Sequence, residues 1–190
     1  MKIDSSYSVK IKHYNRIFCD TVNLYRKAVD FFIEVCLAEW SNLSTIAGKL
    51  AQQRYIELQT HRTKNTTWLK YDFDNLFYKF PSYLRRAAIS AAIGKVSSYK
   101  SNLANYEASA DNRKPSVPKA GKSFPVMYRD NCFVRTGTYT ARLKVFIRNT
   151  WDWLDVEGRC GLHPAQMPKP EGMRSCASQA GQGVVPGLCL

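Results

Sequence analysis

The sequence has 190 residues, of which 45% are hydrophobic, enough for one ordinary core or two small ones. Its 28 Lys and Arg against 15 Asp and Glu give a net charge of +13, which points to a polyanionic partner. No run approaches the roughly 18 apolar residues of a spanning helix. The start, MKIDSSYSVKIKHY, carries no apolar core of a secretory signal. Nucleic acid therefore ranks above an anionic membrane, and a cytoplasmic, nucleoid-associated location is expected.

Residues 7–12 alternate, with Tyr7, Val9 and Ile11 against Ser8, Lys10 and Lys12, which predicts a half-buried strand. From Asn15 to Trp40 the spacing turns helical: Ile17, Thr21, Leu24, Ala28, Phe31, Val35 and Ala38 form a stripe that Phe18, Tyr25, Phe32 and Trp40 widen. A second helix is expected over Ser44–His61, carrying Ile46, Ala47, Leu50 and Ile56 and weakened at Gly48. The segment HRTKNTTW breaks the pattern. Residues 68–80, WLKYDFDNLFYKF, are dense in aromatics and predict a short helix under the next one, with Asp72 and Asp74 as helix-start or surface residues.

The longest helix is expected over Phe80–Ala110. Pro81 suits its first turn, where a missing N–H costs nothing, and no further Pro occurs before Pro115. Leu84, Ala88, Ala92, Val96, Tyr99, Leu103 and Tyr106 line one face, and Arg86, Ser90, Ser97 and Ser101 the opposite one. That small polar face suits close approach of another helix or of a nucleic-acid strand. Together these segments predict a helical bundle of three or four members.

Asp111–Pro125 holds four basic residues among Pro, Gly and Ser and reads as an extended connector, either solvated or tracking a strand of nucleic acid. Strands are expected over Val126–Arg129, Cys132–Thr136 and Tyr139–Arg148 with a turn at Gly137. In the last of these Leu143, Val145 and Ile147 face one way and Arg142, Lys144, Phe146 and Arg148 the other. Cations neutralise phosphates and an aromatic ring stacks on an unpaired base, so this is either a nucleic-acid surface or an ordinary solvated face. Residues 158–190 hold six of the ten glycines and half the cysteines, with no aromatic residue and no periodicity, and read as a disordered or non-native tail.

The six cysteines do not form a disulfide framework: Cys19, Cys36 and Cys132 lie in helix-like or strand-like stretches, where buried free thiols are common. Cys160, His163, Cys176 and Cys189 can be written as a zinc set, but their spacing matches no common site. The three histidines, His13, His61 and His163, stand in no recognisable Cys–His or Ser–His setting, and no Gly-rich phosphate loop occurs, so a self-contained enzyme is not expected.

The stretches VKIKHYNRIFCDTVNLYRKAVDFF, FPSYLRRAAISAAIGKVSSYKSNLANYE and KPSVPKAGKSFPVMYRDNCFVRTG, followed by ARLKVFI, resemble the N-terminal half of TnpB (OrfB-family) proteins. These are transposon-encoded RNA-guided DNA endonucleases, also called transposases. The resemblance covers residues 7–157. It implies an α+β fold in which a recognition-type helical bundle is inserted into a small antiparallel, wedge-type β-barrel. The parts would be a first strand within 1–14, the bundle over 15–110, a basic linker and the remaining strands over 111–157, and the irregular tail over 158–190. It implies guide RNA and double-stranded target DNA as partners. The family's RuvC nuclease domain, with its magnesium ions and structural zinc, would lie beyond the resemblance, so no catalytic residue, metal ligand or cofactor is expected in this chain. The expected nucleic-acid contacts are Arg85, Arg86, Lys95, Lys100, Arg113, Lys114, Lys119, Lys122, Arg129, Arg142, Lys144 and Arg148, most of them to phosphate. The alternative is a non-functional remnant of a decayed insertion sequence, with its charge inherited from a longer parent.

Overall fold

Five helices and four strands follow one another in the computed structural model, which describes residues 10–63, 68–109 and 113–159. The order is β1 (Lys10–Ile11), α1 (Arg16–Ala38), α2 (Trp40–Leu43), α3 (Lys49–Thr60), α4 (Phe73–Leu76), α5 (Ser82–Ala108), β2 (Phe133–Arg135), β3 (Thr140–Ile147) and β4 (Thr150–Arg159). The fold is α+β. It divides into two units: residues up to 22 with those from 124 onward, and residues 23–123. The division falls inside α1, so one helix contributes its first two turns to one unit and the rest to the other.

In the first unit the strands form an antiparallel sheet in the order β1-β4-β3-β2. The sheet is open among the described residues, not the closed barrel that the resemblance implies: β1 and β2 occupy opposite edges, and four strands are too few to close round a core. Phe18 of α1 packs with Leu143 and Val145, and Ile11, Ile17, Phe133, Ile147, Leu154 and Val156 surround them. The inward set of β3 is thus the one its alternation predicts. β3 turns into β4 through Arg148 and Asn149, with φ of +49° and +63°. A two-residue loop with both residues left-handed twists the way a hairpin needs. Arg148 is therefore a turn residue and not, as expected, the last member of a strand face. β4 was not foreseen as a strand, yet it is the longest and lies between β1 and β3. The strand expected over Val126–Arg129 is reduced to an isolated bridge at Arg129, and residues 7–9 of the first expected strand lie outside the described residues.

In the second unit α1 buries Tyr25, Ala28, Val29, Phe32, Ile33, Val35 and Cys36, a face turned slightly from the expected stripe, since Leu24 and Phe31 are only half-buried. Phe73, Phe77 and Phe80 stack among themselves and against Phe31 and Phe32, which explains the aromatic density of 68–80. Asp72 caps α4 by accepting the Asn75 N–H at 3.0 Å. The second helix begins at Lys49, later than expected, because Gly48 sits at φ +92°, outside helical space; Leu50 is consequently 70% exposed. In α5, Leu84, Ala88, Ala92 and Val96 are fully buried while Ser90, Ser97 and Ser101 face solvent, as the spacing predicts.

Two polar clusters tie this unit together. Glu39, almost fully buried, accepts from Lys70 Nζ, from Tyr55 Oη at 2.8 Å and from Tyr71 Oη at 2.9 Å. The Lys70 ammonium above all, then the Tyr55 hydroxyl, hold its carboxyl down at about 2. In the other cluster Arg85 Nη2 donates to Glu57 at 2.9 Å, Arg86 Nε lies 3.4 Å from the same carboxylate, and His61 Nδ1 is 2.8 Å from Asp74. Among the described residues no helix is long and apolar enough to cross a membrane.

Candidate nucleic-acid interface

The alternation of β3 puts Arg142, Lys144 and Phe146 on the face opposite the core, and the register of β4 determines what stands beside them. Arg142 is paired with Asp155, Lys144 with Trp153 and Phe146 with Trp151. Directly opposed residues on one face touch. The Arg142 guanidinium lies 5.6 Å and the Lys144 ammonium 5.2 Å from the Trp153 ring centre, Lys144 directly across the ladder and Arg142 on the diagonal. Phe146 meets Trp151 edge to face at 5.7 Å. Arg142 beside Asp155, Lys144 beside Trp153 and Phe146 beside Trp151 thus follow one another along one face of a hairpin.

Charge on this face is only lightly committed. Arg142 Nε is 3.4 Å from Asp155, but both side chains are largely exposed, and such pairs contribute little. A phosphate can displace the carboxylate without leaving it buried and unpaired. Lys144 makes no ion pair among the described residues. A face of this kind neutralises backbone phosphates with its cations while Trp153 offers a flat surface to an unstacked base.

At the turn end of the same hairpin is a cleft of about 540 Å³ where β3 and β4 meet the start of α1. Half-buried Ile17, Phe146 and Ile147 and exposed Asp20, Arg148 and Asp152 line it. Phe146 belongs both to the cleft and to the aromatic face. Its place is set by α1: the Phe146 N–H, beyond the reach of the short β2, donates to the Thr21 hydroxyl at 2.9 Å.

The remaining cations expected from sequence are dispersed. Arg148 lines the cleft, and Arg129 is exposed, 4.0 Å from Asp130. Arg85 is 6% exposed and bound to Glu57 inside the helical unit, so it holds the fold together and does not reach a partner. Arg86 shares that carboxylate, and Lys95 and Lys100 are half-buried on α5. Arg113, Lys114, Lys119 and Lys122 are exposed on the connector. That connector is not wholly extended: Ala120 is buried, its N–H donates to Asp30, Arg26 donates to the Ser123 carbonyl, and Gly121 at φ +54° makes the turn between. Lys119 and Lys122 therefore flank an anchored turn.

Trp151, Trp153 and the cleft carboxylates Asp20 and Asp152 were absent from the expected contacts. The signal existed in the alternation of TWDWLDVE, whose even spacing of Trp151, Trp153 and Asp155 matches Arg142, Lys144 and Phe146 once the turn is placed. His61 and Asp74, remote in sequence from any motif, also meet. Cys19, expected among the buried thiols, is exposed, whereas burial pushes Cys36 up to about 12 and Cys132 up to about 11. Among the described residues no group of three or more His, Cys, Asp or Glu is placed to hold a metal ion, and Cys160, His163, Cys176 and Cys189 lie outside them.

A family model, Aq_aa04, matches residues 5–147. The chain belongs to the Aq_aa04 family. The matched region of this Aq_aa04 chain runs from before β1 to the end of β3, taking in Arg142, Lys144 and Phe146 and stopping short of Trp151 and Trp153. No curated protein and no solved structure matches the chain.

Proposed function

We propose that this protein binds nucleic acid, with the outer face of the β3–β4 hairpin as its contact surface and no nuclease site of its own. The observation that carries the reading is Trp153 opposite Lys144 and within reach of Arg142 on the sheet face away from the core. The net charge of +13 supplies the long-range attraction, and the exposed cations of residues 113–122 add to it. The Aq_aa04 name carries no activity; the resemblance of residues 7–157 to TnpB proteins supports a more specific form of the same reading. In that form the chain is the N-terminal, RNA- and DNA-binding part of a transposon-encoded RNA-guided endonuclease. Residues 23–123 would be a recognition-type helical bundle inserted into a wedge-type β domain, guide RNA and double-stranded target DNA would be the partners, and the setting would be the prokaryotic cytoplasm. The chain order supports it, since β1 precedes the helices and β2, β3 and β4 follow them.

The test is binding of the purified chain to a structured RNA, a short DNA duplex and a generic polyanion over a salt series. Preference for the RNA that survives near-physiological salt, and that falls on substituting Trp153→Ala, supports the reading. A second reading, a remnant of a decayed insertion sequence, is favoured by the composition of residues 158–190, which lie beyond the family match. Equal and steeply salt-sensitive binding to all three ligands decides for the remnant.

A further inference from the structure

We infer that the turn between α4 and α5 is a second contact for a single nucleic-acid strand, with Tyr78 stacking on one unpaired base and Lys79 holding the neighbouring phosphate. The inference rests on the nucleic-acid reading above and goes beyond it by assigning a contact that belongs to the helical unit.

Residues 77–80, Phe-Tyr-Lys-Phe, divide between core and surface. Phe77 stacks on Phe73 at 4.6 Å, and Phe80 meets Phe73 and Phe77 edge to face at 5.5 and 5.9 Å, so these two rings serve the core. Tyr78 between them is 66% exposed and makes no hydrogen bond or contact with another aromatic ring among the described residues. Leu76, two residues earlier, is 67% exposed. One exposed apolar side chain is ordinary; two large ones at a single turn suit the flat face of a partner.

Charge says which partner. The Lys79 ammonium lies 5.1 Å from the Tyr78 ring centre and makes no ion pair among the described residues. The carboxylates of the same segment are already committed: Asp72 to the Asn75 N–H and Arg62, Asp74 to His61. An apolar protein surface would use the ring and leave the ammonium idle. A nucleotide uses both, its base on the ring and its phosphate on the cation. Lys70 supplies the contrast: it too lies over a tyrosine, 5.6 Å from the Tyr71 ring centre, but Lys70 Nζ and Tyr71 Oη both donate to Glu39, so that pair belongs to the fold. The pairing of Lys144 with Trp153 at 5.2 Å repeats the Lys79–Tyr78 arrangement in the other unit.

The mounting is rigid. The Phe77 N–H donates to the Phe73 carbonyl at 2.9 Å and the Phe80 N–H to the Phe77 carbonyl at 3.2 Å. Lys79 is held left-handed at φ +53°, a conformation a lysine seldom adopts unless its neighbours impose it. A ring already fixed in place loses little freedom when a base lands on it.

The experiment measures affinity of the full chain for a single-stranded RNA of about twelve nucleotides, and for the same strand annealed to its complement, by fluorescence anisotropy. It compares wild type with Tyr78→Ala, Tyr78→Phe, Lys79→Gln and, as the reference for the sheet face, Trp153→Ala. Tyr78 and Lys79 are exposed, so their variants should fold, and an unchanged thermal midpoint checks this. Tyr78→Ala should weaken single-strand binding about ten-fold and Tyr78→Phe, which keeps the ring, by less than about two-fold. Lys79→Gln should lower the slope of log affinity against log salt by about 0.7. Duplex affinity should be the same in Tyr78→Ala as in wild type, because paired bases are already stacked. Should Tyr78→Ala unfold, ultraviolet crosslinking of wild type to the strand carrying 5-iodouridine decides: an adduct at Tyr78 supports the site, and its absence overturns it. Wild-type affinity in Tyr78→Ala and Lys79→Gln, with weakened binding in Trp153→Ala, overturns the turn site and leaves the sheet-face reading standing. Equal losses in Tyr78→Ala and Tyr78→Phe, or an equal loss on the duplex, overturn the stacking contact. Failure of wild type to bind either ligand overturns both readings.

Discussion

The hydroxyl of Thr21 accepts the backbone N–H of Phe146 at 2.9 Å and donates to the carbonyl of Ile17 at 2.8 Å. Strand β2 pairs with β3 only as far as Leu143, so the N–H of Phe146 would otherwise meet no strand. A helix side chain replaces the missing strand. Replacing Thr21 by Val keeps the volume and removes the acceptor, and since Thr21 is fully buried, water cannot substitute. We expect a loss of about 1–3 kcal/mol in urea unfolding, the cost of an unsatisfied buried donor. Thr21→Ser should recover most of it; equal losses in both variants would point to packing instead.

Glu39 makes stability depend on acid. Its folded value is held at about 2 by Lys70 first and Tyr55 second, below the ordinary 4.5. A depressed carboxylate contributes fully above its unfolded value, and that contribution is lost as pH falls from about 4.5 through about 2. In Glu39→Gln the acid-side slope over this window should flatten, and stability at neutral pH should drop by about 1–3 kcal/mol. The check is a set of denaturant curves at stepped pH for both proteins.

Arg85 and the sheet-face cations should separate cleanly. Arg85→Met strips Glu57 of its closer partner inside the helical unit; Arg86 remains, so a loss of about 3 kcal/mol, the low end for a broken buried pair, is expected. Affinity for RNA, measured on the folded fraction, should not change. A fall in affinity larger than two-fold would return Arg85 to the interface.

For Arg142→Gln with Lys144→Gln the opposite holds. Two lost phosphate contacts should lower the slope of log affinity against log salt by about 1.4 for a single strand. Trp153→Ala should weaken binding by about 1–3 kcal/mol with the slope nearly intact, because stacking releases no counterions. Fluorescence anisotropy at four or more salt concentrations separates the two behaviours.

In a chain carrying Ser at Cys160, Cys176 and Cys189, one thiol should react quickly with an aromatic disulfide reagent near pH 8. Cys19 is exposed, while Cys36 and Cys132 are buried and their thiolates suppressed by desolvation. All three should react in denaturant. Rapid native labelling at two or three sites would mean that a core opens readily.

Sequence reasoning reached the elements whose periodicity is long and unbroken. The burial of Leu84, Ala88, Ala92 and Val96, and of Leu143 and Val145, followed from spacing alone. It missed where pairing decides. Thr150–Arg159 alternates, but its Asp and Glu content disguises a strand until the Arg148–Asn149 turn sets it against β3. Trp153 acquires its meaning only through that register, since nothing along the chain links it to Arg142 and Lys144. Arg85 failed in the other direction: an Arg beside Arg86 reads as surface charge, and only the distant Glu57 makes it a core residue. Local signals report a residue's own element, and the candidate site is built from pairs between elements.

The sheet unit is interrupted by residues 23–123, and this has a consequence in time. As the chain leaves the ribosome, β1 and the first turns of α1 emerge about a hundred residues before β2, β3 and β4. Phe18 and Thr21 must wait, uncovered, for Leu143, Val145 and Phe146, while residues 23–123 can complete their own core from neighbours already made. Closing so long a loop is slow. The surface that carries the Arg142, Lys144 and Trp153 array thus forms after the helical unit, and a nascent chain stalled before Thr150 presents half of a sheet, with Lys144 still lacking Trp153.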